Sequence, residues 1–389
     1  MISLCLIGLA FFTTLLFHPY VTYPLSLGLL RLFCKKPFGG DAPVRSTYGV
    51  VFCAYNESAI LGQKLDNLLK LQKVHGRERL QILAYSDGST DGTSELLRER
   101  LREEDGNIAI TSKERRGKSA GMNELLSRSS NEIVVFTDAN VILDDGVLDA
   151  FDATFSDPQI GVACGHLIYI NESTATAKVG TIYWRLEETI KQLESDTGSA
   201  MGADGSLFAI RRELYDPVPV DIIDDFCTSM RILCRGYRVV RVEKAVCYER
   251  STDKIKDENN RKVRIACRAM NCHRLLAPNR KRLGLLDRYK YISHKWVRWH
   301  TGFWHLGAWL FAALACLCYG WLPALIFVAS TCVGLLLAWS GHAMNVPIVS
   351  KVWVVLMGVY YTALGTVQSR LGMRYQTWTP PKSARLPIN

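Results

Sequence analysis

The twelve cysteines of this 389-residue chain form no C-x-x-C pair. That removes the usual spacing of zinc ligands, and their scatter is not that of a disulfide framework. They sit in strand-like or apolar stretches such as VVFCAY, which suits buried free thiols in a reducing compartment. Charge is absent from residues 2–17 and again from 302–350. Acids are nearly absent from one long basic stretch: between Arg261 and Arg298 there are twelve Lys/Arg and one acid, Asp287. No glycine-rich phosphate loop follows the first strand-like run, so nothing supports a nucleotidyltransferase. Internal repeats and low-complexity tracts are also missing. Residues 1–34 show neither a basic start nor a small-residue cleavage site, so a signal peptide is not indicated.

What remains is a polar middle between apolar ends. Residues 1–34 read as a membrane helix kinked near His18-Pro19 and Pro24. Arg31, Lys35 and Lys36 follow it and place the middle region in the cytoplasm. Further apolar runs at about 303–319, 322–339 and 352–368 predict a membrane-spanning region over 301–370, followed by a basic tail, 371–389. The stretch LLDRYKYISHKWVRWH predicts an interfacial amphipathic helix over 285–300. The formal net charge of +10 comes from the basic stretch. Because that stretch abuts apolar spans, anionic membrane lipid is the expected partner rather than nucleic acid. The expected location is the cell membrane, multi-pass. Three C-terminal crossings would put Arg370, Arg374, Lys382 and Arg385 on the outer side, against the positive-inside tendency.

Residues 46 to about 250 alternate strand and helix, which predicts an α/β domain, taken as 46–280, built on a mostly parallel sheet with flanking helices. Ligands in such sheets sit at the carboxyl ends of the strands. Three of those ends are polar. The first is Ala54-Tyr55-Asn56-Glu57, and the second is SDGSTDGTSE (86–95). The third is Asp138-Ala139-Asn140, which stops the apolar run of EIVVFTDAN. An Asp followed two residues later by another oxygen ligand can hold a hard cation. It can equally be a turn. Asp224-Asp225 opens a helical pattern, where acids are also favoured by the macrodipole.

In this order and spacing the stretches resemble glycosyltransferase family 2, membrane-bound and of the bacterial exopolysaccharide type. CAYNE matches the family's first strand end, with Cys53 in place of its usual proline. Asp87-Gly88-Ser89-Thr90-Asp91-Gly92-Thr93 matches D-G-S-x-D-x-T. Gly117 to Asn123 matches G-K-x-x-x-x-N, and Asp138-Ala139-Asn140 matches D-x-D with an uncharged second ligand. The similarity continues through GADGSLFAIRR (202–212) and DDFCTSMRILCRGYRVV (224–240). It implies a nucleotide-binding fold of the glycosyltransferase A type and a nucleotide-sugar donor, with a UDP-sugar expected. Ala54, Tyr55, Glu57, Asp87, Lys118 and Asp138 would line the donor pocket. Asp138 and Asn140 would meet the diphosphate through Mg²⁺ or Mn²⁺. Asp225 would be the general base of one inverting displacement, supported by Asp224. Gly202, Asp204 and Arg264 would face the acceptor.

The last family element, Q-x-x-R-W, belongs to processive synthases. The matching stretch here is Arg261-Lys262-Val263-Arg264-Ile265, which keeps the Arg and lacks the Gln and Trp. The expected function is therefore a single inverting transfer to a polyprenyl-linked or saccharide acceptor. A processive polysaccharide synthase is the alternative. A transporter or scaffold with a degenerate domain is a third reading, and the nearly charge-free spans speak against transport.

Overall fold

The computed structural model describes residues 1–39, 45–170, 174–251 and 254–377. Most of the TWTPPKSAR tail, including Lys382 and Arg385, lies outside the described residues. Eight strands form one sheet: β1 (Tyr48–Ala54), β2 (Leu80–Asp87), β3 (Ile108–Ser112), β4 (Ile133–Thr137), β5 (Ile142–Leu143), β6 (Ile160–Tyr169), β7 (Leu207–Arg211) and β8 (Arg238–Glu249). Their order is β3-β2-β1-β4-β7-β6-β8-β5.

The near-continuous apolar runs are explained by burial on both faces. Tyr48, Val50, Phe52, Ile133 and Val135 feed one core, while Val51, Val134 and Phe136 feed the other. Helices Ser58–His75 and Lys118–Ser127 cover the two faces. Strands β3, β2, β1 and β4 are parallel neighbours. The sheet is more mixed beyond them, because β7 runs antiparallel to both β4 and β6. That reversal matters for the site. It sets the start of β7 beside the end of β4, with Leu207 opposite Thr137.

Among the described residues, two single helices are long and apolar enough to cross a membrane, Trp321–Ala343 (23 residues) and Pro347–Arg370 (24 residues). Thr301–Leu317 is apolar but shorter. The N-terminal segment is a sharply bent pair of helices that together are long and apolar enough for one broken span or a re-entrant loop. Ile2–Phe17 and Thr22–Phe33 are bent by 62° to each other. Pro24 is not the break; it sits in the first turn of the second helix, where no donor is lost. Ile2–Phe17 packs on Thr301–Leu317 through reciprocal small-on-large contacts, Gly8 under Phe311 and Gly307 under Phe12. Thr22–Phe33 instead docks on the helix Ala175–Asp196. The Tyr23 hydroxyl donates to Glu194 at 2.5 Å, and Arg31 pairs with Asp196 at 2.7 Å.

The stretch 285–300 also departs from the expected interfacial helix. It is helical over Leu285–Tyr291, takes a π turn over Ile292–Trp296, and ends with Val297–Trp299. Much of it is internal. Lys290 and His294 are fully buried. Lys290 donates to the Glu194 carbonyl at 2.8 Å, and His294 lies between Glu194 (2.8 Å) and Glu187 (3.0 Å). Arg298 pairs with Glu187. The acids of Ala175–Asp196 draw these bases inward. Lys281, Arg282 and Arg288 stay exposed beside Leu285.

For Arg370 and Arg374 the packing of Pro347–Arg370 decides which neighbours they meet. Its second half lies against the helix Ile255–Leu275. A Cβ on Gly365 would meet the Val263 carbonyl, and Arg274 donates to Ser369 Oγ at 2.7 Å. Arg370 is 3.3 Å from His300, and Arg374 pairs with Asp221 at 3.2 Å. Both arginines are therefore on the side of the α/β domain.

Candidate active site

The second polar strand end works first as a clamp on the first. The Asn56 side chain accepts from the Thr90 amide at 2.8 Å, and the Glu57 amide donates to Thr93 Oγ1 at 2.9 Å. Asp91 accepts from the Ser58 amide and hydroxyl at 3.0 and 2.8 Å, and from the Thr93 hydroxyl at 2.6 Å. These bonds hold Asp91 below the usual carboxylate range, against the opposing effect of burial. Asn56 takes φ +52°, a value Asn tolerates better than most residues.

Asp87 is buried at the end of β2. It accepts from the Arg116 amide at 2.7 Å and the Gly117 amide at 3.0 Å. It thereby fixes the basic loop before the helix Lys118–Ser127. In the same loop the Arg115 guanidinium lies 3.5 Å from the centre of the Tyr55 ring, a cation–π contact. Ala54 and Glu57 are buried at the same edge. The Gln376 carbonyl of the returning tail lies 2.6 Å from where a Cβ on Gly117 would stand.

The third strand end meets this loop. Lys118 Nζ lies 2.6 Å from Asp138 Oδ1 and 3.4 Å from Asp224 Oδ2. Asp138 keeps 35% side-chain exposure and so remains open to the cleft. Gly205, just before β7, is where the groups converge. A Cβ there would stand 3.2 Å from Asp225 Oδ2, 3.5 Å from Lys118 Nζ and 3.9 Å from Asp138 Oδ2. The antiparallel β4–β7 pairing brings Gly205 to Asp138, and the helix Asp224–Cys234 brings the acidic pair.

The two acids have different environments. Burial and the Asp224 carboxylate push Asp225 up to about 6, with Lys118 pulling the other way. Burial would raise Asp224 too, but Lys118 and Arg268 outweigh it and hold that carboxyl low. One acid is thus a salt-bridged anion, and the other is a carboxyl that holds its proton more tightly than usual. Helix capping does not account for them. The N-cap is Ile223, which offers no capping side chain, and within the first turn Asp225 takes a backbone donor, the Phe226 amide at 2.6 Å.

The acceptor-side residues divide. Asp204 forms an ion pair with buried Lys191 of the helix Ala175–Asp196. Gly202 has φ +102°, and a Cβ there would press on Phe226 at 2.7 Å, so it sets the seat of the base helix. Arg264 lies within electrostatic reach of Asp224 and Asp138, and burial with neighbouring Arg268 and Arg261 lowers it to about 9.

For a divalent cation the fit is partial. Among the described residues there is no group of three or more His, Cys, Asp or Glu placed to hold a metal. Asp138 offers an open carboxylate. Asn140 Nδ2 donates to Glu249 at 3.0 Å, which leaves Oδ1 as its coordinating atom. Two hard oxygens fit Mg²⁺ or Mn²⁺ only with further oxygens from a bound diphosphate.

Three residues escape sequence reasoning. Glu249, at the end of β8, anchors Asn140 and Ser206 (3.1 Å), and burial keeps its carboxyl raised. Arg268 donates to the Ile222 carbonyl just before the acidic pair. It stands four residues after Arg264, so helical spacing could have found it. Fully buried Lys64 donates to Thr137 Oγ1 at 3.2 Å and to the Val141 carbonyl at 2.6 Å, clamping the Asp138–Asn140 turn from beneath.

Comparison with known proteins identifies the domain that carries these strand ends. Residues 49–218 match the model of the family described as Glycosyl transferase family 2. The poly-beta-1,6-N-acetyl-D-glucosamine synthase of Staphylococcus aureus is 29% identical over 222 residues, 55% of this chain and 52% of that protein. The synthase of the same name from Staphylococcus epidermidis is 25% identical over 252 residues, 61% of this chain and 60% of that protein. The chain thus spans about half the length of the first of these curated relatives. Among solved structures, the mannosyltransferase PcManGT of Pyrobaculum calidifontis, in complex with GDP-Man and Mn²⁺, aligns with TM-score 0.69 and 22% identity. That alignment covers 96% of this chain and 99% of that one, so the two share a fold from end to end. The matched segment carries the three polar strand ends and stops before the acidic pair: residues 49–218 are a glycosyltransferase family 2 domain.

Proposed function

We propose that this chain is a membrane-bound inverting glycosyltransferase that moves a sugar from a nucleotide-sugar to a saccharide or lipid-linked acceptor. The observation that carries the reading is the convergence of Lys118, Asp138 and Asp225 on Gly205, which puts no side chain of its own between them. A reaction centre needs such a gap between a cation, an anion-facing strand end and a base.

In this reading the donor's nucleoside lies against Ala54, Tyr55, Glu57 and the loop fixed by Asp87. Lys118 faces the diphosphate as a point charge. An acceptor hydroxyl attacks the anomeric carbon, its proton passes to the Asp225 carboxylate, and the bond from that carbon to the diphosphate oxygen breaks. One displacement inverts the centre. Asp224 keeps Lys118 in place and, as a neighbouring anion, keeps Asp225 basic. Asp138 and Asn140 would hold Mg²⁺ or Mn²⁺, which supplies charge neutralisation to the leaving diphosphate. A bound Mn²⁺ in the mannosyltransferase that shares the fold supports this assignment.

The membrane helices, the exposed bases Lys281, Arg282 and Arg288, and the return of Arg370 and Arg374 to the domain support a cytoplasmic catalytic face on a multi-pass anchor. Processive synthesis is a second reading. The curated relatives' names favour it, and the missing Gln and Trp around Arg264 oppose it. A screen of nucleotide-sugars with the purified protein, with and without Mn²⁺, tests the transfer. Product length on labelled donor separates one addition from many. Absence of hydrolysis or transfer with every donor sinks the proposal.

A further inference from the structure

A cavity of about 300 Å³ lies between the end of β6 and the helix Ala175–Asp196. It is lined by His166 and Tyr169 from the strand and by Trp184, Arg185, Glu188 and Thr189 from the helix. That volume is at the small end of ligand pockets, enough for one sugar ring rather than a nucleotide.

Its walls are built. The Trp184 indole N–H donates to the Leu167 carbonyl at 3.1 Å, and the Tyr169 ring meets the indole edge-on at 5.9 Å. The aromatic plane is therefore held in one orientation. Glu188 is 6% exposed. Its Oε2 accepts from Arg241 at 2.6 Å, while Oε1 is buried with no hydrogen-bond partner. Lys191 stands 3.9 Å from that oxygen, beyond hydrogen-bond reach. A buried carboxylate oxygen without a donor is costly unless a ligand hydroxyl completes it.

Two short paths join the cavity to the reaction centre. Lys191 stands 4.8 Å from the Trp184 ring and pairs with Asp204, the residue before Gly205. Tyr169 is in register with Glu249, which holds Asn140. The same helix, Ala175–Asp196, packs on Pro347–Arg370, so the cavity lies where the domain meets an apolar helix.

We infer that this cavity is a saccharide subsite for the acceptor, with Trp184 supplying an apolar platform for a pyranose face and Glu188 Oε1 accepting from a ring hydroxyl. The assignment rests on the transfer reading for the word acceptor, but not for the binding of sugar. It deepens that reading: the acceptor is recognised through a sugar ring, not through a lipid phosphate alone.

The test uses the full chain in detergent without nucleotide-sugar. Methyl pyranosides of glucose, mannose and N-acetylglucosamine are the probes, followed by saturation-transfer NMR, and a polyprenyl monophosphate lacking sugar is the competing arm. At least one pyranoside should bind the native chain. Trp184→Ala should weaken it by about tenfold, the upper range for an aromatic contact. Trp184→Phe should restore much of it, and Glu188→Gln should weaken it while retaining an acceptor for Arg241. Thermal unfolding of each variant checks folding. No pyranoside binding, unchanged affinity in a folded Trp184→Ala, or displacement only by the sugar-free lipid phosphate each overturns the subsite. Trp184-dependent sugar binding in a chain that transfers from no donor would sink the transfer reading and leave the saccharide site standing.

Discussion

Asp225→Asn separates the base from its surroundings. The substitution keeps shape and the hydrogen bond from the Phe226 amide, 2.6 Å in the native chain, but removes the proton acceptor. Turnover should fall on the order of 10²-fold or more, the scale of a general base. Nucleotide-sugar affinity should change little. The native acid limb is set by the same group. With Asp225 raised to about 6, kcat/KM should fall roughly tenfold per pH unit below that value. In Asp225→Asn that limb should vanish. Stability should move the other way. A carboxyl raised in the folded chain binds its proton more tightly there than when unfolded, so its stabilising effect is present at low pH and lost as pH rises toward 6. Removing the charge should therefore raise the melting temperature at pH 7.5 and leave it nearly unchanged near pH 4. The penalty relieved is on the order of 2–3 kcal/mol if the whole rise from 3.8 is realised. Calorimetric donor titration, turnover from pH 4.5 to 8 and unfolding at two pH values are the assay. Substantial turnover in Asp225→Asn, or an acid limb that survives, would refute the base assignment. Lost donor binding would move Asp225 into the nucleotide site.

Other expectations follow from the same geometry. Asp138→Ala should abolish transfer and weaken donor binding in the presence of Mn²⁺; full activity in excess EDTA would remove the metal from the account. Gly205→Ala should fold normally and cut turnover by more than tenfold, because its Cβ would stand 3.2 Å from the Asp225 carboxylate and close the reaction gap; a fully active variant would show that the gap is not where the sugar reacts. Replacing Lys281, Arg282 and Arg288 with Gln should reduce binding to vesicles rich in anionic lipid, about 1 kcal/mol per charge, without changing turnover on a soluble acceptor; unchanged vesicle binding would leave these bases without a membrane role.

Much of the domain was legible because its signals are local. The apolar strands alternate between two cores, and their polar ends had to gather at one sheet edge. Asp138, Asp87, Lys118 and the acidic pair were named through their resemblance to family motifs, and the structure brings Asp138, Lys118 and the acidic pair together. What could not be read depends on chain reversals and distant partners. Gly205 becomes part of the centre only because β7 runs against β4. Lys64 and Glu249 matter through bonds to a turn 73 and 109 residues away in sequence. The basic stretch looked like a lipid collar because a sequence counts charge without showing that Glu187 and Glu194 draw Lys290, His294 and Arg298 inside. The break of the N-terminal segment was legible at His18-Pro19, but nothing local reveals that Tyr23 and Arg31 dock on the domain.

The central claim is transfer by a single displacement at this centre. It is tested most directly by the anomeric configuration of the first product. The purified chain, given an α-linked nucleotide-sugar that it accepts, should yield a β-linked product by proton NMR taken early in the reaction, and Asp225→Asn should yield almost none. A product that keeps the α configuration would contradict the account.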